Sequence, residues 1–373
     1  MNLIKANVGP GLLAIPNAFR NAGLLVGTLG ILILGSCCIH CMHILIRCSN
    51  RLEAKTGTRD YDYAKLVEYA YMYGPKPLVK YTRLARQIVN IFLILTQYGF
   101  CCVYFIFMAS SIQQLVIGHA DPEPQVFLKF LSAVLPVVVL FTYFRTLNHL
   151  GVIATFANIA LMLGTCIVFV NLFQEMPGIR VRPLSVSITR FPLFFGTVMF
   201  TFEAIAVVLP IKADMRSPQD YGGYTGVLSL GMVIVTIMYT AMGFYGYLKF
   251  GDQAQGSITL NLPTTRLYSS VQVMFIISIF VTYLLQFYVP FQFIWPYFKK
   301  TFRLEERVSR RTQLALELLL RTLLVFITFS LAAFIPKLDL FIPVVGAVAS
   351  SSLALIFPAI LEIVVFWDAP MSK

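Results

Sequence analysis

Apolar residues run along this chain in long blocks separated by short polar punctuation. A membrane-spanning helix needs about 20 predominantly apolar residues. Ten blocks meet that length, at 2–21, 24–48, 86–117, 126–144, 151–173, 191–212, 224–249, 268–297, 314–335 and 339–366. Two of the ten are interrupted. The first reads Asn7-Val8-Gly9-Pro10-Gly11-Leu12-Leu13-Ala14-Ile15-Pro16. The second reads Phe200-Thr201-Phe202-Glu203-Ala204-Ile205-Ala206-Val207-Val208-Leu209-Pro210. Gly9 precedes Pro16 by seven residues, and Glu203 precedes Pro210 by seven. Each interruption predicts a helix that unwinds within the membrane. Hydrocarbon cannot satisfy the backbone groups freed there, so they face protein, water or a ligand.

The interrupted blocks open the first and second groups of five. Five is odd, so the second group enters the membrane from the opposite side. That is the condition for an inverted-topology repeat, in which matched broken helices mark a transporter binding site. The pattern predicts one all-α polytopic transmembrane domain over 1–373, with repeat one at about 1–173 and repeat two at about 191–366. Residues 49–85 form the longest connector and carry Tyr61, Tyr63, Tyr69, Tyr71, Tyr73 and Tyr81. They read as a cytoplasmic loop containing a short surface helix.

Composition supports the membrane assignment. Of 373 residues, 58% are hydrophobic and 12% are charged, against about 25% charged in soluble domains. The formal net charge of +12 is explained by loops rather than by nucleic acid. With the amino terminus in the cytoplasm, the inside segments hold 20 of the Lys and Arg residues and the outside segments 7, as the positive-inside rule requires. Met1 lies almost directly on the first helix with no recognisable signal peptide. This predicts either a naturally short first helix or a truncated or alternative product. The seven cysteines fall in or beside apolar runs, so no extracellular disulfide is expected. Cys37-Cys38-Cys41, with His40 and His43 beside them, lack the second ligand pair of a zinc site. No metal and no cofactor is expected. No phosphate-binding glycine loop and no nucleophile–base arrangement is visible, so the chain does not read as an enzyme or an ATP-driven pump.

Glu203 is the one acid placed deep in the bilayer, where a charge costs roughly 2.5–3.5 kcal/mol on insertion scales. It sits at the second break. It either carries a proton or anchors the unwound chain by accepting amide hydrogen bonds. Gly9 and Gly11 allow close backbone approach and left-handed conformations, and Pro10 removes a backbone donor. The half-helix from Leu12 onward turns its positive amino end toward the break, where a carboxylate is stabilised. The carbonyls near Phe200 to Phe202 suit an ammonium, so a small zwitterion satisfies both ends. Lys5 either snorkels to the surface or joins an inner gate. His40 and His43 read as packing or interfacial residues. Gln97, Tyr98, Tyr104, Thr282, Tyr283 and Gln286 are candidates for lining a path or for gluing helices together.

These residues, with Gln97-Tyr98-Gly99-Phe100-Cys101-Cys102-Val103-Tyr104 and Phe194-Phe195-Gly196-Thr197, resemble the proton-coupled amino acid transporters of the amino acid/auxin permease group. The resemblance runs from Asn2 to about Glu362. The family's first-helix motif matches Lys5, Asn7, Gly9, Gly11 and Pro16, and its sixth-helix motif matches Phe202, Glu203 and Pro210. It implies a LeuT-like fold with discontinuous helices 1 and 6. It also implies cotransport of protons with small neutral amino acids of the glycine, alanine and proline class, in the plasma membrane or a lysosomal or endosomal membrane. The expected substrate contacts are Asn7, Gly9, Gly11, Leu12, Phe200, Thr201, Phe202, Tyr104 and Tyr283. Glu203 is the expected proton-coupling residue, and membrane lipids are the remaining partners. Three departures stand out. Asn2 occupies a position where well-studied members carry His. The family's extracellular cysteine pair is missing. The chain ends after ten helices, without the usual eleventh or the cytoplasmic amino-terminal tail, and so looks truncated at both ends.

Three functions compete on these grounds. A proton-driven secondary transporter leads. A sensor that signals through its cytoplasmic loops and an uncoupled facilitator, which Asn2 would suit, are the alternatives.

Overall fold

The computed structural model describes residues 7, 9–58, 61–118, 123–144, 147–174, 176–223, 225–304 and 308–368, with the side chains of 147–152 excepted. Lys5 and Asn2 lie outside the described residues. Every regular element among the described residues is helical. The main helices are α1 (Pro10–Ala22), α2 (Leu24–Thr56), α3 (Tyr63–Met72), α4 (Thr82–Ile117), α5 (Pro124–Thr142), α6 (Leu147–Phe173), α7 (Phe191–Thr201), α8 (Ile205–Asp214), α9 (Val227–Phe250), α10 (Arg266–Phe302), α11 (Arg310–Phe334), α12 (Leu338–Val345) and α13 (Phe357–Val365).

Among the described residues, nine helical segments are long and apolar enough to cross a membrane, and they coincide with the second to tenth blocks of the sequence. The first block is represented by α1, whose 13 residues follow residues that lie mostly outside the described set. The chain is therefore an integral, multi-pass membrane protein. Several helices outrun their hydrophobic blocks. α2 continues to Thr56 and stops at Gly57, whose φ of 71° and N–H bond to Glu53 O close it in a left-handed cap. Much of the connector at 49–85 is thus helical. α3 buries Tyr63, Ala64, Leu66, Val67 and Ala70 on one side, and its Asp62 cap accepts from Lys65 N at 2.7 Å.

The helices group into two compact units that do not correspond to the two sequence halves. The first comprises Met1–Leu95, Pro177–Asp252 and Ile342–Lys373, and the second Thr96–Met176 and Gln253–Phe341. In the first, α1 packs against α7 and α9, and α2 against α9 and α13. The turn between α1 and α2 depends on Gly23, with φ 92°. A Cβ there would lie 2.7 Å from Leu184 O, so no other residue fits under the strap formed by Leu24 N to Pro183 O and Val186 N to Ala22 O. The strap's neighbour Arg182 donates from Nε to Leu248 O and from Nη2 to Lys249 O, each at 3.1 Å, and so caps α9.

α7 and the last membrane segment meet backbone to backbone. A Cβ on Gly346 would lie 1.8 Å from Gly196 O, and one on Gly196 would lie 2.1 Å from Pro343 O. Such small-residue contacts are the usual means of close helix approach in membranes. Between α12 and α13 the helix widens into π-helical turns at Gly346–Ser350 and Ser352–Ile356.

In the second unit, α6 packs along α10, and α5 along α10 and α11. Ser278 donates to Ala157 O at 2.7 Å, and the Gln272 amide donates to Gln114 Oε1 at 2.8 Å and Thr259 O at 3.0 Å. These bonds settle polar groups that would otherwise be stranded in an apolar interior.

Candidate functional site

Both interruptions read from the sequence are real breaks. Asn7 is helical, Gly9 is not, and Pro10 opens α1. The Pro ring fixes φ for a first helical position, and its missing N–H costs nothing there. The second break spans Phe202, Glu203 and Ala204, between the end of α7 and the start of α8. Phe202 N still bonds Val198 O at 3.0 Å, and Ala204 N turns back to Phe202 O at 2.8 Å. The chain therefore leaves the helix over three residues.

The structure brings the two breaks together in the first unit. The site for a Gly11 Cβ lies 3.1 Å from Thr201 Cα and 3.2 Å from its Oγ1 and Cγ2. Gly11 is thus a contact glycine between α1 and the end of α7. Neither Gly9 nor Gly11 uses a left-handed conformation. Gly9 is extended, with φ −168°, and Gly11 lies in the helix. The expectation of positive φ is corrected here, because the turn is made by extended chain before Pro10.

The expected contact residues sort by what they touch. Leu12 and Phe202 are fully buried, and Phe200 and Thr201 nearly so. Thr201 Oγ1 returns to Thr197 O at 2.7 Å. The Asn7 amide points to Met232 Sδ at 3.8 Å, toward α9. Glu203 is different. Both carboxylate oxygens are sealed from solvent and lack a hydrogen-bond partner among the described residues. Ser350, on the first π-helical turn, neighbours the carboxyl, yet its own hydroxyl is outside strict hydrogen-bond geometry. The amide bonds expected to anchor Glu203 are not formed among the described residues. Buried polar groups rarely lack partners, and those that do call for a functional explanation.

Tyr104 and Tyr283 belong to the second unit. Tyr104 stacks on Phe100 with ring centroids 6.4 Å apart, and its hydroxyl meets Gln286. Tyr283 is committed to helix packing: its hydroxyl is 3.1 Å from Thr328 Oγ1, and its ring meets Phe105 edge-on at 5.3 Å. On α4, Gln97 Oε1 and Tyr98 Oη are buried with no hydrogen-bond partner among the described residues.

Sequence reasoning missed one residue at the breaks. Tyr239 on α9 is fully buried. Its hydroxyl lies 2.6 Å from Asn7 O and 2.9 Å from Thr201 O, and its ring meets Phe202 edge-on at 5.0 Å. In sequence it is one of three tyrosines, with Tyr245 and Tyr247, within the apolar run of α9. A second missed cluster lies at the far end of α8. Lys212 Nζ donates to Asn50 Oδ1 at 2.6 Å, Glu53 Oε1 at 2.8 Å and Ser49 Oγ at 3.2 Å. It borders an open cavity of about 1160 Å³ whose wall includes His43, Arg47, Glu53, Asp214 and Arg216.

The family described as "Transmembrane amino acid transporter protein" matches residues 1–372. The chain is 34% identical over 374 residues to "Proton-coupled amino acid transporter-like protein pathetic" of Drosophila melanogaster, covering 100% of this chain and 77% of that protein. It is 26% identical over 369 residues to "Probable amino acid transporter skat-1" of Caenorhabditis elegans, covering 98% of this chain and 80% of that protein.

Proposed function

The chain belongs to the transmembrane amino acid transporter protein family, and from that premise we propose that it moves small neutral amino acids together with protons by alternating access. The observation that carries this reading is the pairing of two helix breaks, with a buried acid, Glu203, at one of them whose carboxylate has no hydrogen-bond partner among the described residues. The amino end of α1 attracts the substrate carboxylate through its free amides and dipole. The carbonyl end of α7 suits the ammonium. Gly9, Gly11, Leu12, Phe200, Thr201 and Phe202 form the substrate contacts nearest the breaks, with Asn7 contributing backbone. Two backbone ends set close together favour the glycine, alanine and proline class, whose side chains demand little space.

Glu203 is the proton carrier in this reading. An acid without fixed donors is free to gain and lose a proton as water reaches the break, and intramembrane acids commonly serve as proton relays. The fold is a LeuT-like five-plus-five inverted repeat, with the amino terminus in the cytoplasm as the Lys and Arg distribution supports. The membrane is the plasma membrane or a lysosomal or endosomal one.

The test is uptake of labelled glycine, alanine and proline into proteoliposomes, with and without an acid-outside gradient. Accumulation should need the gradient and collapse on adding a protonophore. Glu203→Gln should lose accumulation and keep substrate exchange. Equal uptake with and without the gradient would assign the chain to uncoupled facilitation. Substrate binding with no flux would assign it to sensing.

A further inference from the structure

Tyr239 stands apart from both breaks in sequence. It is 232 residues from Asn7 and 38 from Thr201. Yet its one hydroxyl reaches a backbone carbonyl on each side. A phenol has a single O–H to donate, so the two carbonyls share one proton at 2.6 and 2.9 Å. In transporters built on broken helices, unwound carbonyls and half-helix carboxyl ends hold the coupling ion. Here a neutral, covalently fixed donor serves one carbonyl of each break.

The surroundings hold that donor in place. Met232, Thr236 and Tyr239 follow one face of α9 at helical spacing. Met232 receives the Asn7 amide at 3.8 Å. Thr236 and Phe202 both crowd the site of a Gly35 Cβ, at 3.1 and 3.0 Å. Phe202, the first residue of the second break, lies edge-on against the Tyr239 ring. One face of α9 therefore touches the residue before the first break and the residues on either side of the second break's start.

We propose that Tyr239 is a positioning residue for transport, its shared hydroxyl proton fixing the spacing between Asn7, just before the first break, and the carbonyl end of α7, just before the second. This deepens the transport reading above and rests on it. A zwitterion gripped by its carboxylate at one half-helix and its ammonium at the other is sensitive to that spacing. If the two ends drift independently, each still binds, but not both at the same instant. Affinity falls before turnover does.

The experiment compares wild type with Tyr239→Phe in nanodiscs and proteoliposomes. Phenylalanine keeps the ring against Phe202 and removes only the donor. Hydrogen exchange followed by mass spectrometry should quicken roughly tenfold, the equivalent of one lost hydrogen bond, in peptides covering both breaks. The rest of the first unit should be unchanged. The KM for alanine should rise severalfold, with a smaller change in maximal rate. Replacement of Tyr239 by 3-fluorotyrosine, a stronger donor of nearly equal size, should slow exchange at both breaks, and this decides the matter if the phenylalanine variant does not fold. Exchange altered at one break alone, or at neither, overturns the proposal, as does a wild-type KM in Tyr239→Phe. A wild-type protein that moves no amino acid sinks the transport reading instead, while the exchange data still report whether Tyr239 joins the breaks.

Discussion

The Lys212 ammonium lies 2.8 Å from the Glu53 carboxylate and fastens the end of α8 to α2, across 159 residues of chain. The Lys212 side chain is 8% exposed and that of Glu53 24%. The lysine is therefore the desolvated partner, and it needs Asn50 and Ser49 as well as the acid. Lys212→Met should destabilise the protein by about 2 kcal/mol, a figure reduced for the partial exposure of Glu53. Glu53→Gln should cost about 1 kcal/mol, since two oxygens still receive the ammonium. Thermal unfolding in detergent orders the two. Equal losses would mean that the lysine depends on Glu53 alone.

Arg321 and Glu317 form a more deeply buried pair in the second unit, with side chains 4% and 5% exposed and 3.0 Å between them. Arg321 also donates to Thr142 O at 2.6 Å, at the end of α5, and lies 4.1 Å above the Phe291 ring. Removing one member strands a buried charge. Arg321→Leu should therefore cost about 3–5 kcal/mol, while the double change Glu317→Leu with Arg321→Leu should cost less than either single change. A double-mutant cycle on melting temperatures measures the difference. Additive losses would show that the two side chains act separately.

The first break distinguishes its two glycines. Among the described residues, a Cβ on Gly9 meets nothing within 4 Å, whereas one on Gly11 meets Thr201 at 3.1 Å. Gly9→Ala should fold and reach the membrane with a stability change within about 0.5 kcal/mol. Gly11→Ala should cost about 1–3 kcal/mol by overpacking, and Gly11→Val should cost more. Fluorescence-detected size exclusion together with uptake separates folding from transport. A well-folded, fully active Gly11→Val would refute the tight crossing of α1 and α7.

Tyr63 makes a pH-dependent prediction. Its hydroxyl donates to Leu353 O at 2.9 Å from the start of α3. Burial, with the nearby Glu203 carboxyl adding to it, pushes the phenol well above its usual range. The native state thus holds this proton more tightly than the unfolded chain, whose tyrosine ionises near pH 10. The contribution is full below about pH 10 and is lost as pH rises beyond it. Tyr63→Phe should lower stability at neutral pH by about 1 kcal/mol and flatten the alkaline decline. A decline of unchanged slope in the variant would remove Tyr63 from that transition.

The parts of this fold that were legible in the sequence are those whose causes are local. The spans follow from runs of apolar residues, and the breaks from Gly9-Pro10 and from an acid, Glu203, lodged in such a run. What was hidden depends on distant partners. The overrun of α2 to Thr56 is carried by Arg47, Arg51 and Lys55, which pair with Glu362 and Asp368 at the other end of the chain. Lys212 reads as a loop cation until Glu53, Asn50 and Ser49 are set beside it. Tyr239 looks like any aromatic in a hydrophobic helix until two carbonyls are found at its hydroxyl. The wide turns between α12 and α13 have no residue signature of their own. They arise where Gly346 lets the backbone press on Gly196.

Those wide turns have a mechanical consequence. A π-helical turn winds more residues into each revolution than an α-helical one. The segment from Gly346 to Ile356 therefore carries surplus chain, while its far end is clamped by Arg47 to Glu362 at 2.7 Å and Arg51 to Asp368 at 2.8 Å. Slack of this kind can be handed along a helix without breaking it. Ser350, the neighbour of the Glu203 carboxyl, lies within that surplus.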